Sequence, residues 1–252
     1  MVDFSNGSAA LSIGKIKFLD KVSKVNFRFN GENINRKCGS NYLKENCKKK
    51  FKNYDYCFAF DGDADRILIS EKKYGIIESE QIALIFLKYL EKIKNLDKKS
   101  IVTTEISNPW LSEQLKKDKY KVYLTKVGDR NVIEKQIAKK SILGFETSGH
   151  FSFHGRMDGM YTMGFFLKIL EKNEEIIKNV LKKKPIYKLR IFRYRNISKK
   201  MSNIISKIKK KEKIKIIQRK SIWTGDNKIY FFLKRGKATN LQKTLNNIFK
   251  YI

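Results

Sequence analysis

The sequence predicts an α/β protein. It reads as two consecutive α/β/α sandwich domains with mixed, mostly parallel sheets, followed by a small α+β domain. Three observations carry this. Short apolar or alternating runs alternate with longer runs of helical spacing through residues 1–180. Composition and a proline change together at Lys182-Lys183-Lys184-Pro185. A chain of 252 residues is long enough for two or three real cores. The expected blocks are residues 1–95, 96–183 and 184–252.

The elements follow in order. Val22–Phe29 alternates as a strand does. Tyr42–Phe51 reads as a helix and Asp55–Phe60 as a buried strand. Ile67–Ser70 is a second short strand, closed by the turn residues Lys72-Lys73-Tyr74-Gly75. Glu78–Ile93 places Ile82, Ile85, Phe86, Tyr89, Leu90 and Ile93 at helical spacing. Ile101–Thr104 is a strand, and Asn108-Pro109 opens a short helix over Trp110–Lys117. Then come a strand at Lys121–Leu124, a helix at Asp129–Lys139, a strand at Ile142–Phe145 and a helix at Met160–Lys172. In the last block, Tyr187–Tyr194 and Lys228–Leu233 read as strands. Met201–Lys211 and Thr239–Tyr251 read as helices.

Composition excludes several classes. Hydrophobic residues make up 41% and aromatics 12%, which argues against a disordered polycation. The longest apolar run, at Gln81–Leu87, is far short of the ~20 residues of a membrane span. The opening MVDFSNGS lacks a signal-peptide pattern. Three Cys without paired spacing argue against a disulfide framework or a zinc cluster. A cytoplasmic protein is expected.

The net charge is +31, from 56 basic and 25 acidic residues. Nucleic acid is the obvious partner for such a charge. The type of basic residue argues otherwise. Ten are Arg and 46 are Lys, and Arg is the better residue for bidentate phosphate recognition. The chain is also rich in Asn, Ile, Phe and Tyr and has 2 Pro, as AT-rich codon drift produces. Residues 181–252 hold 23 basic and 2 acidic residues, a net of +21. Nucleic acid is therefore not the expected partner.

Three loops carry chemistry. The first, Asp61-Gly62-Asp63-Ala64-Asp65-Arg66, follows an apolar strand. Carboxylates at i, i+2 and i+4 can converge on one hard cation, with Gly62 helping the backbone curl. An EF-hand would need Gly and Glu where Arg66 and Lys72 stand. The second, Thr125-Lys126-Val127-Gly128-Asp129-Arg130, lies between a strand and a helix. On local chemistry Asp129 reads as a helix N-cap. The third, Gly144-Phe145-Glu146-Thr147-Ser148-Gly149-His150, gathers a carboxylate, two hydroxyls and an imidazole. Such groups hydrogen-bond a polyol and exchange protons near neutral pH. His154 has no comparable neighbours.

These loops, in this order, resemble those of the α-D-phosphohexomutase family. Val2-Asp3-Phe4-Ser5-Asn6-Gly7 resembles the opening of that family's second domain. Asn33-Ile34-Asn35 with Cys38-Gly39-Ser40, and Val127-Gly128-Asp129-Arg130 with Asn131-Val132-Ile133-Glu134-Lys135, resemble its phosphoglucosamine mutases. The resemblance implies that residues 1–95 are the metal-loop domain and 96–183 the sugar-loop domain. It implies Mg²⁺ on Asp61, Asp63 and Asp65, with Arg66 near a phosphoserine. It implies sugar hydroxyls on Glu146 and Ser148, and His150 as acid/base group. Lys126, Asp129 and Arg130 would line the cleft. The implied reaction interconverts glucosamine 6-phosphate and glucosamine 1-phosphate through a sugar 1,6-bisphosphate activator. Glucose or mannose phosphate is the alternative substrate, and an inactive remnant or basic binding protein the alternative role.

Two features depart from the family. No phosphoserine loop of the T-x-S-H-N-P kind occurs; Thr103–Pro109 is similar but lies between the metal and sugar loops, so Ser107 is not expected to be a nucleophile. The phosphoserine domain is thus expected outside this stretch, either on a separate polypeptide from a split gene or encoded in frame upstream, and this chain alone is expected to be inactive. The phosphate loop of the family's last domain is degenerate, leaving Arg219, Ser221, Thr224 and Gly225 as its nearest match.

Overall fold

The computed structural model describes residues 1–94, 96, 98–153, 155–194, 202–203, 205–208, 215–220 and 227–234. By packing they form two units. One comprises Met1–Ser107 and Leu115–Lys183, the other Asn108–Gln114 and the residues from Lys184 onward. The 95/96 boundary expected from sequence lies inside the first unit.

The first unit begins with a five-stranded sheet. Its strands are β1 (Val2–Asp3), β2 (Lys24–Val25), β3 (Tyr56–Phe60), β4 (Ile67–Glu71) and β5 (Gly75–Ile76), in the order β2-β1-β3-β4-β5. The β2, β1 and β3 strands are parallel; β4 and β5 add antiparallel. Helix α1 (Leu43–Lys49) precedes β3, and α2 (Ser79–Ile93) follows β5. A second sheet holds β6 (Ser100–Thr104), β7 (Lys121–Thr125), β8 (Leu143–Phe145), β9 (Phe151–Phe153) and β10 (Arg156–Met157), in the order β10-β9-β8-β6-β7. Here β8, β6 and β7 are parallel and the other two antiparallel. The helices are α3 (Pro109–Lys117), α4 (Asp129–Lys139) and α5 (Gly159–Leu181). This is the mixed α/β architecture expected.

Helix α2 explains why Ile82–Leu87 is apolar on every face: all six residues are buried. A capping box starts the helix, with Glu78 and Gln81 satisfying each other's backbone amides. Phe86 meets Phe151, Phe153 and Phe165, with ring centroids 5.0–5.6 Å apart. The next residue of α5, Phe166, faces the other way onto Phe58 of β3, at 5.8 Å. Adjacent aromatics on α5 thereby tie the two sheets of this unit to one framework.

Some elements differ from expectation. The strand expected over Val22–Phe29 shrinks to Lys24–Val25. Asn26 takes a positive φ of 51° and its carbonyl accepts from the Asn6 amide at 2.6 Å, so the ladder ends there. Phe27 and Phe29 are consequently exposed. Helix α5 continues nine residues past Lys172, through a kink at Asn173 (φ −150°, ψ 46°). The strands β5, β9 and β10 have two or three residues each, too few to show alternation.

The second unit is a three-stranded antiparallel sheet of β11 (Tyr187–Tyr194), β12 (Lys215–Lys220) and β13 (Asn227–Lys234), ordered β11-β13-β12. Ile229–Leu233 is buried throughout. Asn108 Nδ2 donates to the Tyr187 carbonyl at 3.0 Å, and Tyr187 Oη to Glu113 Oε1 at 2.7 Å. The helix expected over Thr239–Tyr251 lies outside the described residues, as does part of the one expected over Met201–Lys211. Among the described residues, no helix is long and apolar enough to cross a membrane.

Candidate functional site

Two hairpin loops of the first unit meet. The first, residues 61–66, joins the antiparallel pair β3–β4; the second, residues 146–150, joins β8–β9. Arg66 and His150 pair as an isolated antiparallel bridge, and the Ile67 amide donates to the Gly149 carbonyl at 3.0 Å. Two loops some 80 residues apart in sequence thus share one short piece of ladder. Gly149 makes this possible. Its φ is +100°, and a Cβ there would stand 2.6 Å from the Ile67 carbonyl oxygen. In the first loop the left-handed residue is Ala64 (φ 66°), not Gly62, so Gly62 does not supply the curl expected of it.

The first loop is braced from below. Asp3 is fully buried; its Oδ1 accepts from the Ser5 amide and its Oδ2 from the Gly39 amide, both at 2.9 Å. The Ser8 amide donates to the Gly62 carbonyl at 2.8 Å. The opening turn and the Cys38-Gly39-Ser40 segment therefore hold the carboxylate loop in place. The sequence singled out both stretches without giving them this role.

Asp61, Asp63 and Asp65 each offer a carboxylate oxygen, and these oxygens lie within 4.8 Å of one another. Asp61 is buried, Asp63 exposed and Asp65 between. Asp61 Oδ1 accepts from the Arg66 amide at 3.2 Å, and its Oδ2 from Arg66 Nε. Asp65 Oδ1 is buried without a well-formed hydrogen bond. It faces His150 Nε2 at 3.2 Å and Arg66 Nε at 3.9 Å. Burial raises the Asp65 pKa, His150 opposes this, and the charges of Asp61 and Asp63 add to it. Three hard oxygen donors, one left unsatisfied, fit a small divalent cation that keeps several waters.

The second loop of the pair is built round Glu146, which is 5% exposed. Its Oε1 accepts from the Gly128 amide at 2.7 Å. Its Oε2 lies 3.3 Å from His150 Nδ1 and 3.4 Å from Ser148 Oγ. Ser148 Oγ is 2.8 Å from His150 Nδ1. Burial works to raise the Glu146 pKa, but the His150 and Gly128 hydrogen bonds outweigh it and leave it lowered. Burial likewise works to lower that of His150, and Glu146 and Asp65 outweigh it, leaving it raised. His150 is thus held between two carboxylates, one from each loop.

The loop at 125–130 joins this arrangement through its backbone. Gly128 is the N-cap of α4 and Asp129 its first residue, so the N-cap expected at Asp129 is corrected. Among the described residues, Asp129 Oδ1 accepts from the Arg130 amide next to it, at 2.7 Å. Lys126, Asp129 and Arg130 are exposed, and Arg130 Nε pairs with Glu134 Oε1 at 2.7 Å, one turn along α4. The structure brings together Asp61, Asp63, Asp65, Arg66, Glu146, Ser148 and His150; it does not bring the side chains of 126, 129 and 130 onto them. The Gly128 amide is the contact that sequence reasoning missed, since a backbone donor has no residue signature. Arg219 lies on β12, paired with Lys228 of β13. Thr224, Gly225, Ser221 and His154 lie outside the described residues.

The chain matches known proteins over much of its length. Residues 78–186 match the family model described as "Phosphoglucomutase/phosphomannomutase, alpha/beta/alpha domain III". The chain is 34% identical to a phosphoglucosamine mutase of Clostridium beijerinckii over 185 residues, which are 71% of this chain and 41% of that one. It is 31% identical to a phosphoglucosamine mutase of Thermodesulfovibrio yellowstonii over 98% of this chain and 58% of that one. The chain thus spans roughly half the length of the curated relatives it matches. Among solved structures, the N-acetylphosphoglucosamine mutase of Aspergillus fumigatus, in complex with GlcNAc-6P and magnesium, superposes with a TM-score of 0.77 at 19% identity. That match covers 98% of this chain and 64% of that one.

Proposed function

The chain belongs to the α-D-phosphohexomutase family, and from that premise we propose that it is the metal-binding and sugar-binding part of a phosphoglucosamine mutase. The reaction is the interconversion of glucosamine 6-phosphate and glucosamine 1-phosphate through a 1,6-bisphosphate, in the cytoplasm. One observation carries the reading: the Arg66–His150 bridge sets a carboxylate trio and a sugar-type loop side by side.

The roles follow from the geometry. Asp61, Asp63 and Asp65 would hold Mg²⁺. When bound, Mg²⁺ neutralises charge on the phosphoryl group in transfer. Arg66 adds a fixed positive charge beside that group. Glu146 and Ser148 accept and donate hydrogen bonds to sugar hydroxyls, and the Gly128 amide keeps Glu146 aimed. His150, held between Glu146 and Asp65, takes the proton of the attacking hydroxyl and returns it in the reverse transfer. Lys126, Asp129 and Arg130 line the approach for the anionic substrate. Arg219, Thr224 and Gly225 are the proposed remains of a phosphate-binding loop. The phosphoryl carrier is a phosphoserine on a domain outside these 252 residues, and turnover requires it.

The test is reconstitution. The chain is mixed with a phosphoserine-domain polypeptide, Mg²⁺ and hexose 1,6-bisphosphate. Turnover of glucosamine, glucose and mannose phosphates is then compared. Fastest turnover of glucosamine phosphate is expected. Preference for glucose or mannose phosphate would move the substrate assignment, and no mutase activity in the mixture would overturn the proposal.

A further inference from the structure

The three cysteines show no pairing in the sequence, yet the fold brings two of them together. Cys57 is on β3, and its cross-strand partner on β4 is Ser70. Side chains of a directly opposed pair leave the sheet on one face. Helix α1 covers that face and sets Cys47 over the pair. Cys47 packs against the buried cluster that contains Cys57, and the Cys57 thiol donates to the Phe51 carbonyl at 3.9 Å. Cys47, Cys57 and Ser70 line one open cavity of about 990 Å³, rimmed by Lys44, Lys48 and Lys52. Cys47 is half-buried and reachable from it, whereas Cys57 is 3% exposed and packs with Leu43, Phe51 and Ala59.

We infer that Cys47 and Cys57 form an oxidisable dithiol, in which Cys47 reacts first with a hydroperoxide and Cys57 then closes a disulfide. In the first step the Cys47 thiolate attacks one peroxide oxygen. An S–O bond forms, the O–O bond breaks, and hydroxide or alkoxide leaves; sulfur is oxidised and the peroxide reduced. In the second step the Cys57 sulfur attacks the Cys47 sulfur. The S–S bond forms, the S–O bond breaks, and the Cys57 proton departs with the oxygen as water.

The division of labour matches the surroundings. The neighbouring Cys57 and Ser70 side chains outweigh burial and bring Cys47 to about 7, where the nucleophilic thiolate is present at neutral pH. Cys47 in turn, together with burial, pushes Cys57 well up, so it keeps its proton until Cys47 has been oxidised. Cys38 is an internal control: it is 1% exposed, burial raises its pKa, and its sulfur meets Asn6 Nδ2 at 3.7 Å. A structural disulfide is not implied. In a reducing compartment such a pair is a transient, reversible one.

The experiment treats the full chain with one equivalent of hydrogen peroxide at pH 7, then alkylates the remaining thiols and maps the peptides. The expected product has lost two hydrogen atoms, carries a Cys47–Cys57 link, retains only Cys38 for alkylation, and reverts with dithiothreitol. In Cys57→Ser the oxidation stops at a sulfenic acid on Cys47, trapped by dimedone; in Cys47→Ser no intramolecular link forms. Three alkylated thiols after peroxide, or a link that includes Cys38, would overturn the inference. Because the wild-type map decides by itself, a poorly folding variant does not rescue the idea. Failure here leaves the mutase reading untouched, since none of that reading's residues takes part.

Discussion

Replacing Gly149 with Ala isolates the contact that joins the two loops. The added Cβ meets the Ile67 carbonyl oxygen at 2.6 Å, the carbonyl carbon at 3.2 Å and Leu68 Cδ2 at 3.1 Å. Two of these are backbone atoms in a strand, so they yield only by moving the strand. The φ of +100° adds about 1–3 kcal/mol for any residue with a Cβ. Loss of the Ile67–Gly149 hydrogen bond adds about 0.5–1.5 kcal/mol. A total of roughly 2–4 kcal/mol is expected, distributed over the loops rather than the whole chain. Gly75→Ala is the matched control. It has φ +76° and nothing within 4 Å, so it carries the backbone cost without the clash. Thermal melts give the global difference, about 2–4 °C for each kcal/mol in a chain of this size. Hydrogen–deuterium exchange gives the local one: protection at Ile67 should fall in Gly149→Ala and stay unchanged in Gly75→Ala. Equal melting shifts for the two variants, with Ile67 protection intact in both, would refute the claim that the bridge aligns the loops.

Three further outcomes are expected. Asp65→Asn should weaken Mg²⁺ binding by tenfold or more in calorimetric titration, because it removes the trio's unsatisfied buried oxygen as an anion; unchanged affinity would place the cation elsewhere. Asp3→Asn turns a buried acceptor into a donor facing the Gly39 amide, and should cost about 1–3 kcal/mol in denaturant unfolding followed at the first unit. Glu91 is drawn upward in pKa by burial but held below 4.5 overall by Lys99 and Lys88, at 2.8 and 3.2 Å. Its folded pKa is depressed, so its contribution is full above pH 4.5 and fades as pH falls through the folded value. It is worth about 1 kcal/mol or less, and Glu91→Gln should flatten the melting temperature between pH 5 and 3.

What could be read from sequence depended on element length and on which groups did the work. Helix α4 has the bounds its pattern predicts, and α2 starts one residue after its expected start, because a cap and a dozen periodic residues leave little freedom. Val22–Phe29 alternates convincingly, yet alternation cannot reveal that β1 offers two residues to pair with. Once the partner ends, Phe27 and Phe29 have no sheet to face. In the site, the carboxylates, the serine and the histidine were visible because clustered polar groups after apolar strands are conspicuous. The Gly128 amide on Glu146 and the Gly39 amide on Asp3 were not, because every residue but proline has such a donor. The Cys47–Ser70–Cys57 group was hidden for a different reason: three separate elements must stack before those side chains meet.

The charge of the chain and the charge of its site have opposite signs, and this bears on what the site needs. Overall the protein carries +31. Within the joined loops the acidic groups are Asp61, Asp63, Asp65 and Glu146, and the basic ones Arg66 and His150. Even with His150 protonated, that leaves two negative charges where a phosphate ester would have to approach. The nearby cations do not redress this, since Lys126 is exposed and Arg130 is engaged with Glu134. The distributed lysine charge draws anions toward the surface from a distance, an effect that salt screens within about 10 Å at 0.1 M. It cannot cancel a local carboxylate trio a few ångströms from the reacting group. A divalent cation seated on that trio would cancel this excess at the point of contact. Under the proposed function, phosphoryl transfer would therefore depend on a cation at this loop far more than on the forty-odd lysines that dominate the composition.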